Sequence, residues 1–408
     1  MKLIFLIFLA LMLTAASKGY AFQDSYGISG VVKDKKGETL PGANVLLSGY
    51  QKGAVADNDG KFVITALRPG NYDVLVQMMG YLPASINVIV DDKSVVVDIV
   101  MTENARLLKE VVIRPDANRE RYLKAFKESF VGTSPNAQKT KILNPNVIRF
   151  EYDSEALTLQ ATADEFIILE NKELGYKIKY LLKYFEKDDR LNLIRYFGYP
   201  YFEDLASSKS KARQYKERRD LAYMGSAQHF FTSLFDNSAK SSGFMIYKME
   251  AKPNPQKLPD SILDEKIQRF TQLTTRGAKL TTQPGDSLRY YKQMKSLPDT
   301  IDILNRNEVL TDTLVKQEVS NLRWMNYRDK LYIVYSLEKE SKAYSEQRGY
   351  KIRRPHDLAQ SQVSIVRQHK PLIAFYENGM VFDPSALLFE GYWGYEKVAD
   401  MVPMDYIP

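Results

Sequence analysis

Residues 30–47, GVVKDKKGETLPGANVLL, and residues 57–76, DNDGKFVITALRPGNYDVLV, decide the fold of the first part of the chain. In both, apolar side chains recur at every second position. Ile28, Gly30 and Val32 share one strand face, Val45 and Leu47 the next, then Phe62 and Ile64, then Tyr72, Val74, Val76 and Met78. Alternation of this kind turns one face of each strand inward. The breaks between the runs are turn chemistry: Lys36-Gly37, Pro41-Gly42, Asp57-Asn58-Asp59-Gly60, Arg68-Pro69-Gly70-Asn71, Gly80-Tyr81 and Asp91-Asp92-Lys93. Glycine supplies positive φ and proline presets φ, so each break has a mechanism. Further on, Ile86, Val88 and Val90 alternate, as do Val95, Val97, Ile99 and Met101. Short strands at this spacing predict a β-sandwich over residues 26–102.

The ordered set Gly30-Val31-Val32-Lys33-Asp34, Gly37, Leu40-Pro41-Gly42-Ala43-Asn44-Val45, Asp57-x-x-Gly60-x-Phe62, Leu67-x-x-Gly70-x-Tyr72 and Gly80-Tyr81 resembles the carboxypeptidase regulatory-like domain. The resemblance implies a transthyretin-like (prealbumin-like) sandwich with no catalytic residues of its own, of a kind that often precedes TonB-dependent outer-membrane receptors in Gram-negative bacteria. Asp57-x-Asp59-Gly60 looks like the start of a calcium loop, but the third acid and the later glutamate of that pattern are missing. The two aspartates therefore read as turn residues.

Outward from this segment, Lys2, the apolar run Leu3–Thr14 and the small residues around Gly19-Tyr20-Ala21 have the layout of a secretory signal peptide, 1–21. The run is shorter than the ~20 residues that span a bilayer. Export and a periplasmic or outer-membrane-associated location are expected. There is no cysteine, which excludes disulfides, thiol nucleophiles and thiolate metal sites. The net charge of +7 is modest and the charges are mixed. In an exported chain nucleic acid is not an expected partner, and an anionic lipid or polysaccharide surface is the alternative that the lysine excess allows.

Residues 103–114, including Leu107–Ile113, read as a connector or last strand. Residues 115–408 read as an α+β domain with antiparallel sheet. A helix is expected after Pro115, with Tyr122, Leu123, Phe126 and Phe130 on one stripe and Gly132 as its stop. Strands are expected at Ile148–Tyr152 and Leu157–Ala161. The longest is Tyr176–Phe185, with Tyr176, Ile178, Tyr180, Leu182 and Tyr184 inward and Leu191–Phe197 as its antiparallel partner. Lys177, Lys179 and Lys183 then form a cationic face, read chiefly as solvated edge protection. Residues 207–237 read as helical, basic first and apolar second, broken at Gly225-Ser226. Residues 251–320 give no clear pattern, and Pro253, Pro255 and Pro259 make the start linker-like. Strands return at Leu331–Leu337, and Asn378-Gly379 marks a hairpin between Ile373–Tyr376 and Met380–Phe382.

The whole chain also resembles exported bacterial proteins known only as carboxypeptidase-like regulatory domain-containing proteins. The residues are Glu170-Asn171-x-x-Leu174-Gly175-Tyr176, Arg219-x-x-Ala222-Tyr223-x-Gly225-Ser226-x-x-His229-Phe230 and Gly391-Tyr392-Trp393-Gly394. That group implies no activity.

The three histidines, His229, His356 and His369, begin no His-x-x-Glu pair, so the zinc-carboxypeptidase ligand pattern is missing, and no nucleophile elbow surrounds them. Asp164, Glu165 and Glu170 are the acids offered for a carboxylate pair. No glycine-rich phosphate loop is present. No catalytic, cofactor-binding or metal residue is assigned, and no cofactor. The expected function is that of a non-enzymatic cell-envelope protein, with the sandwich as an interaction or folding module, the α+β region as a docking surface and an envelope protein as partner. The alternatives are an outer-membrane receptor-associated or β-barrel component, and a carboxylate-dependent hydrolase. Tyr392, Trp393 and Tyr395 are expected to be packed, with Gly391 and Gly394 giving close backbone approach.

Overall fold

In the computed structural model, the described residues are 25–104, 117–275, 283–319, 321–327, 330–347 and 352–408. Residues 1–24, where the signal peptide is expected, and residues 105–116, with Leu107–Ile113 and Pro115, lie outside them. The chain divides into two units, one around residues 26–103 and one from Arg119 onward.

The first unit is a sandwich of two sheets. In one, strand Tyr26–Asp34 pairs antiparallel with Lys61–Leu67 and parallel with Val95–Val96 and Ile99–Glu103, and the last of these pairs with Tyr81–Leu82. In the other, the order is Gly53–Val55, Asn44–Leu47, Gly70–Gln77 and Ala84–Val90. Ile28, Val32, Val45, Leu47, Phe62, Ile64, Val74 and Val76 are buried, as the period-two reading has them, whereas Met78, Ile86, Val95 and Val97 are half-buried and the off-period Leu75 is buried. The short strands Gly53–Val55 and Tyr81–Leu82 carry too few residues to show a period. At Gly60, φ is +75°, and a β-carbon there would lie 2.8 Å from the Val32 carbonyl oxygen. Asp57 Oδ1 accepts from the amides of Asp59 at 2.9 Å and Lys61 at 2.8 Å, which is the work of a turn aspartate.

The second unit combines helices with antiparallel sheets. Its first sheet has the order Thr140–Ile142, Ile167–Asn171, Tyr176–Asp188, Thr158–Ala163 and Ile148–Asp153, and Leu193–Asp204 also pairs with Tyr176–Asp188. Helix Arg119–Phe126 runs into one π-helical turn, Lys127–Val131, which Gly132 ends at φ +110°. Phe126 and Phe130 pack there against Tyr180 and Phe185. Inward residues of the long strand are Tyr176, Ile178, Tyr180, Leu182 and then Phe185. Tyr184 is exposed, contrary to the strict alternation expected of it. The strand is paired with Ile167–Asn171 up to Tyr180 and with Thr158–Ala161 from Phe185. Between the two pairings the inward parity changes, from Tyr176, Ile178, Tyr180 and Leu182 to Phe185.

The described residues of 251–320 form strands and helices, where the prolines made the start read as linker-like. Strand Phe244–Pro253 pairs antiparallel with Thr300–Asn305, and between them stand helices Asp260–Thr275 and Gln283–Lys295, with Phe270 stacked on Tyr291. The five-stranded sheet continues through Lys330–Lys339, Ser361–Gln368 and Leu387–Gly391. Ile373–Tyr376 pairs with Leu322–Met325 in a smaller sheet, and Met380–Phe382 returns across the Asn378-Gly379 turn as a single bridge.

Candidate functional site

Three sequence signatures far apart in the chain meet at one junction in the second unit. Asn171 ends its strand fully buried. Its Oδ1 accepts from the amides of Glu173 and Leu174, both at 3.0 Å, which closes the turn into Gly175. Gly175 has φ +68°, and a β-carbon there would sit 2.2 Å from the Tyr215 ring. The same turn points the Leu174 and Gly175 carbonyls at helix Lys209–Tyr223. Arg219 on that helix donates from Nε to Leu174 O at 2.7 Å, from Nη2 to Gly175 O at 2.9 Å and from Nη1 to Asp204 at 2.8 Å. Its guanidinium lies 3.8 Å from the Tyr176 ring centroid, a close cation–π contact.

Helix Lys209–Tyr223 ends before Gly225, at φ +77°, and Ser226 caps the next helix, Ala227–Phe235, by accepting the His229 amide. The break expected at Gly225-Ser226 is a helix stop followed by a helix start. His229 Nδ1 accepts the Gly225 amide at 3.1 Å, and its ring lies among Tyr223, Phe244 and Tyr335. Burial lowers its pKa to about 4.

The tail completes the junction. Trp393 Nε1 donates to Gly225 O at 2.7 Å, and its ring packs on Phe230 and Phe389. Gly391 has φ +75°, and a β-carbon there would lie 2.4 Å from Val363 O. Asp400 is buried and accepts from Ser134 Oγ at 2.6 Å, Asn136 Nδ2 at 2.9 Å and its near neighbour Lys397's amide at 3.1 Å. Asn171 Nδ2 donates to Ala399 O at 2.8 Å, so the first signature holds the tail directly. Tyr392, Trp393 and Tyr395 are all buried, as their composition and flanking glycines predict.

This junction is a framework. Arg219 places donors on three acceptors, Asn171 and Asp400 are occupied on both sides, and His229 is held neutral by its surroundings. Burial raises the carboxyl pKa of Glu396, Asp400 and Glu338, with Glu338 accepting from Gln362 at 3.2 Å. Sequence alone did not single out Glu338, Glu396, Lys397 and Asp400, because their burial depends on where the tail returns.

The other residues singled out by sequence are dispersed. His356 and His369 are exposed on separate elements. Glu170 stands opposite Lys177 in strand register and lies 3.3 Å from Lys172 Nζ, while Glu165 is exposed. Two of the three lysines singled out on the long strand are met by an acid: Lys179 Nζ lies 2.6 Å and Lys177 Nζ 4.0 Å from Glu203. On the basic helix Arg213 pairs with Glu217, Lys216 with Asp220 and Arg218 with Glu173.

The state of His229 has a measurable consequence. A histidine whose folded pKa lies below its unfolded value of 6.5 leaves the unfolded chain binding more protons between the two. Its contribution is flat above pH 6.5 and destabilises progressively as the pH falls toward 4. The raised carboxyls act in the opposite direction, so a difference measurement isolates it. Relative to His229→Gln, the native protein should lose on the order of 1 kcal/mol between pH 7 and pH 4.5, with partial exposure discounting the shift. Parallel denaturation curves across this range would count against a neutral buried imidazole.

Residues 28–113 match the CarboxypepD_reg-like domain family, so the first unit is a domain of that kind. A stretch of 93 residues, 23% of the chain, is 31% identical to the TonB-dependent receptor SusC of Bacteroides thetaiotaomicron, and the chain spans 9% of that relative's length. Neither description is that of an enzyme. Among solved structures, a cohesin–X-dockerin complex from Acetivibrio cellulolyticus is 28% identical with TM-score 0.17, covering 19% of this chain and 58% of that one. A minor pilin of Streptococcus agalactiae is 16% identical with TM-score 0.18, covering 23% and 49%.

Proposed function

We propose that this protein is a non-enzymatic component of the bacterial cell envelope, in which the sandwich engages an envelope protein and the α+β unit provides a second docking surface. The observation that supports it most is the CarboxypepD_reg-like domain, a type shared with a TonB-dependent receptor. The second support is the junction, where the side chains of Arg219, Asn171, Trp393 and Asp400 are spent on holding three segments together. A β-barrel role is disfavoured by the long strand's inner face, which packs on the phenylalanines of a helix and not on lipid.

The test is affinity capture of the tagged full chain from detergent-solubilised envelope, beside a chain lacking residues 25–104. A partner recovered with the full chain and lost with the deletion is the expected result. Recovery of the same proteins by both, or of none by either, overturns the role given to the sandwich. A near-UV circular dichroism spectrum of the deleted chain checks that the second unit is still folded.

A further inference from the structure

We propose that the helical hairpin Asp260–Thr275 and Gln283–Lys295 seats the second unit on an anionic phospholipid surface, a role independent of the partner proposed for the sandwich. The two helices are inserted between strands Phe244–Pro253 and Thr300–Asn305 and pack chiefly on one another. Phe270 stacks on Tyr291 with ring centroids 5.6 Å apart, and Lys295 Nζ meets Asp264 near the strands. The seam between the helices is half open. Leu263, toward the strands, is fully buried, whereas Ile267, Phe270, Leu273, Leu288, Tyr291 and Met294 are only half-buried. Beside the seam, Tyr290 is 56% exposed.

Charge identifies the occupant. The acids of the first helix, Asp260, Asp264 and Glu265, stand in its opening turns, next to the strands. From Lys266 onward the two helices carry Lys266, Arg269, Arg289, Lys292 and Lys295 against Asp286 alone, a net +4 where the whole chain has +7. Arg289 pairs with Asp286, while Arg269 and Lys292 are exposed and have no acid against them among the described residues. Arg269 precedes Phe270 and Lys292 follows Tyr291, so each lies about 100° round its helix from the seam, and Tyr290 flanks Tyr291 on the side away from Lys292. An open apolar seam with a tyrosine at one edge and cations at its flanks is the make-up of helices lying among lipid headgroups. The ring sits at the interface, and the long cationic stems reach the phosphates. An acidic polysaccharide would satisfy the cations but leave the seam and Tyr290 uncovered. At 16 and 13 residues the helices are too short to cross a bilayer, so the hairpin lies on its surface.

Flotation of the full chain with vesicles of phosphatidylcholine, alone or mixed with phosphatidylglycerol, tests this. Binding is expected to the mixed vesicles only, and it should fall as salt is added. A cation at such a surface is worth about fivefold in affinity, so Arg269→Gln/Arg289→Gln/Lys292→Gln should bind about a hundredfold more weakly. Lys209→Gln/Lys211→Gln, on the other basic helix, should bind as the native chain does. Tyr290→Trp reports depth: its emission should move to the blue on mixed vesicles and stay unmoved with dextran sulfate. All the exchanged positions are exposed, and a matched melting curve for each variant confirms an intact fold. Equal binding to both kinds of vesicle, or to neither, overturns the proposal. So does a triple variant that binds like the native chain, or a Lys209/Lys211 variant weakened as much as the triple one. An emission shift on vesicles no larger than with dextran sulfate also overturns it, and makes an acidic polysaccharide the partner.

Discussion

Truncation after Glu390 should abolish the cooperative fold of the second unit while the sandwich still melts as a native domain. The removed segment is short, but it carries Tyr392, Trp393 and Tyr395, together with Val398 and Ala399, which belong to the core around Phe126, Phe130 and Tyr176. Emptying a single buried tryptophan site costs about 3–5 kcal/mol. Trp393→Ala alone would also leave Gly225 O without its donor. The truncation removes several such sites at once, and it strips Ser134, Asn136 and Asn171 of their buried partners. Domains are stable by about 5–15 kcal/mol in total, so the sum exceeds what the unit holds in reserve. Thermal unfolding followed by near-UV circular dichroism reads this directly. The full chain should show the second unit's transition and the truncated chain should lack it, while Trp393→Ala lowers its midpoint by several degrees. A truncated chain that melts like the full one would instead make the tail an exposed docking patch.

How much of this was legible in the sequence follows from how local each cause is. The sandwich was legible because each strand is bounded by a turn whose chemistry lies within a few residues, as at Asp57–Gly60. The second unit's strands were legible where the period held, and the change of parity near Tyr184 was not. A parity change arises from a switch of neighbouring strand, and nothing in YKIKYLLKYFEKD records it. Helices Asp260–Thr275 and Gln283–Lys295 were missed because they show no wide apolar stripe; among the described side chains of the first, only Leu263 is fully buried. The junction illustrates the limit best. Its three signatures stood out together in the sequence, yet nothing local tells that the Leu174 carbonyl and the Gly225 carbonyl seek an arginine and a tryptophan from elsewhere.

Arg219 carries the second large expectation. In the sequence it is one of six cations between Lys209 and Arg219, a stretch that reads as a solvated helix face. In the fold it is 7% exposed and makes three directed hydrogen bonds. Arg219→Met keeps the length and apolar stem but removes every donor. Leu174 O and Gly175 O then lose their partners at a buried turn, at about 1–3 kcal/mol each. Tyr176 also loses the cation over its ring. Destabilisation of about 3–5 kcal/mol is expected from the two unpartnered carbonyls and the lost ring contact together. Arg219→Lys should recover little, because an ammonium cannot address three acceptors in the plane of a guanidinium. Asp204→Asn separates the ionic part from the rest. Asp204's side chain is 41% exposed, so water can replace much of what it gives, and about 1 kcal/mol or less is expected. Urea midpoints for the three variants should therefore rank with Asp204→Asn nearest the native protein and Arg219→Met farthest. If Arg219→Met unfolds within about 1 kcal/mol of the native protein, the carbonyls have found water, and the first two signatures are not joined through this side chain. If Asp204→Asn proves as damaging as Arg219→Met, the ion pair and not the carbonyl clamp holds the turn against the helix.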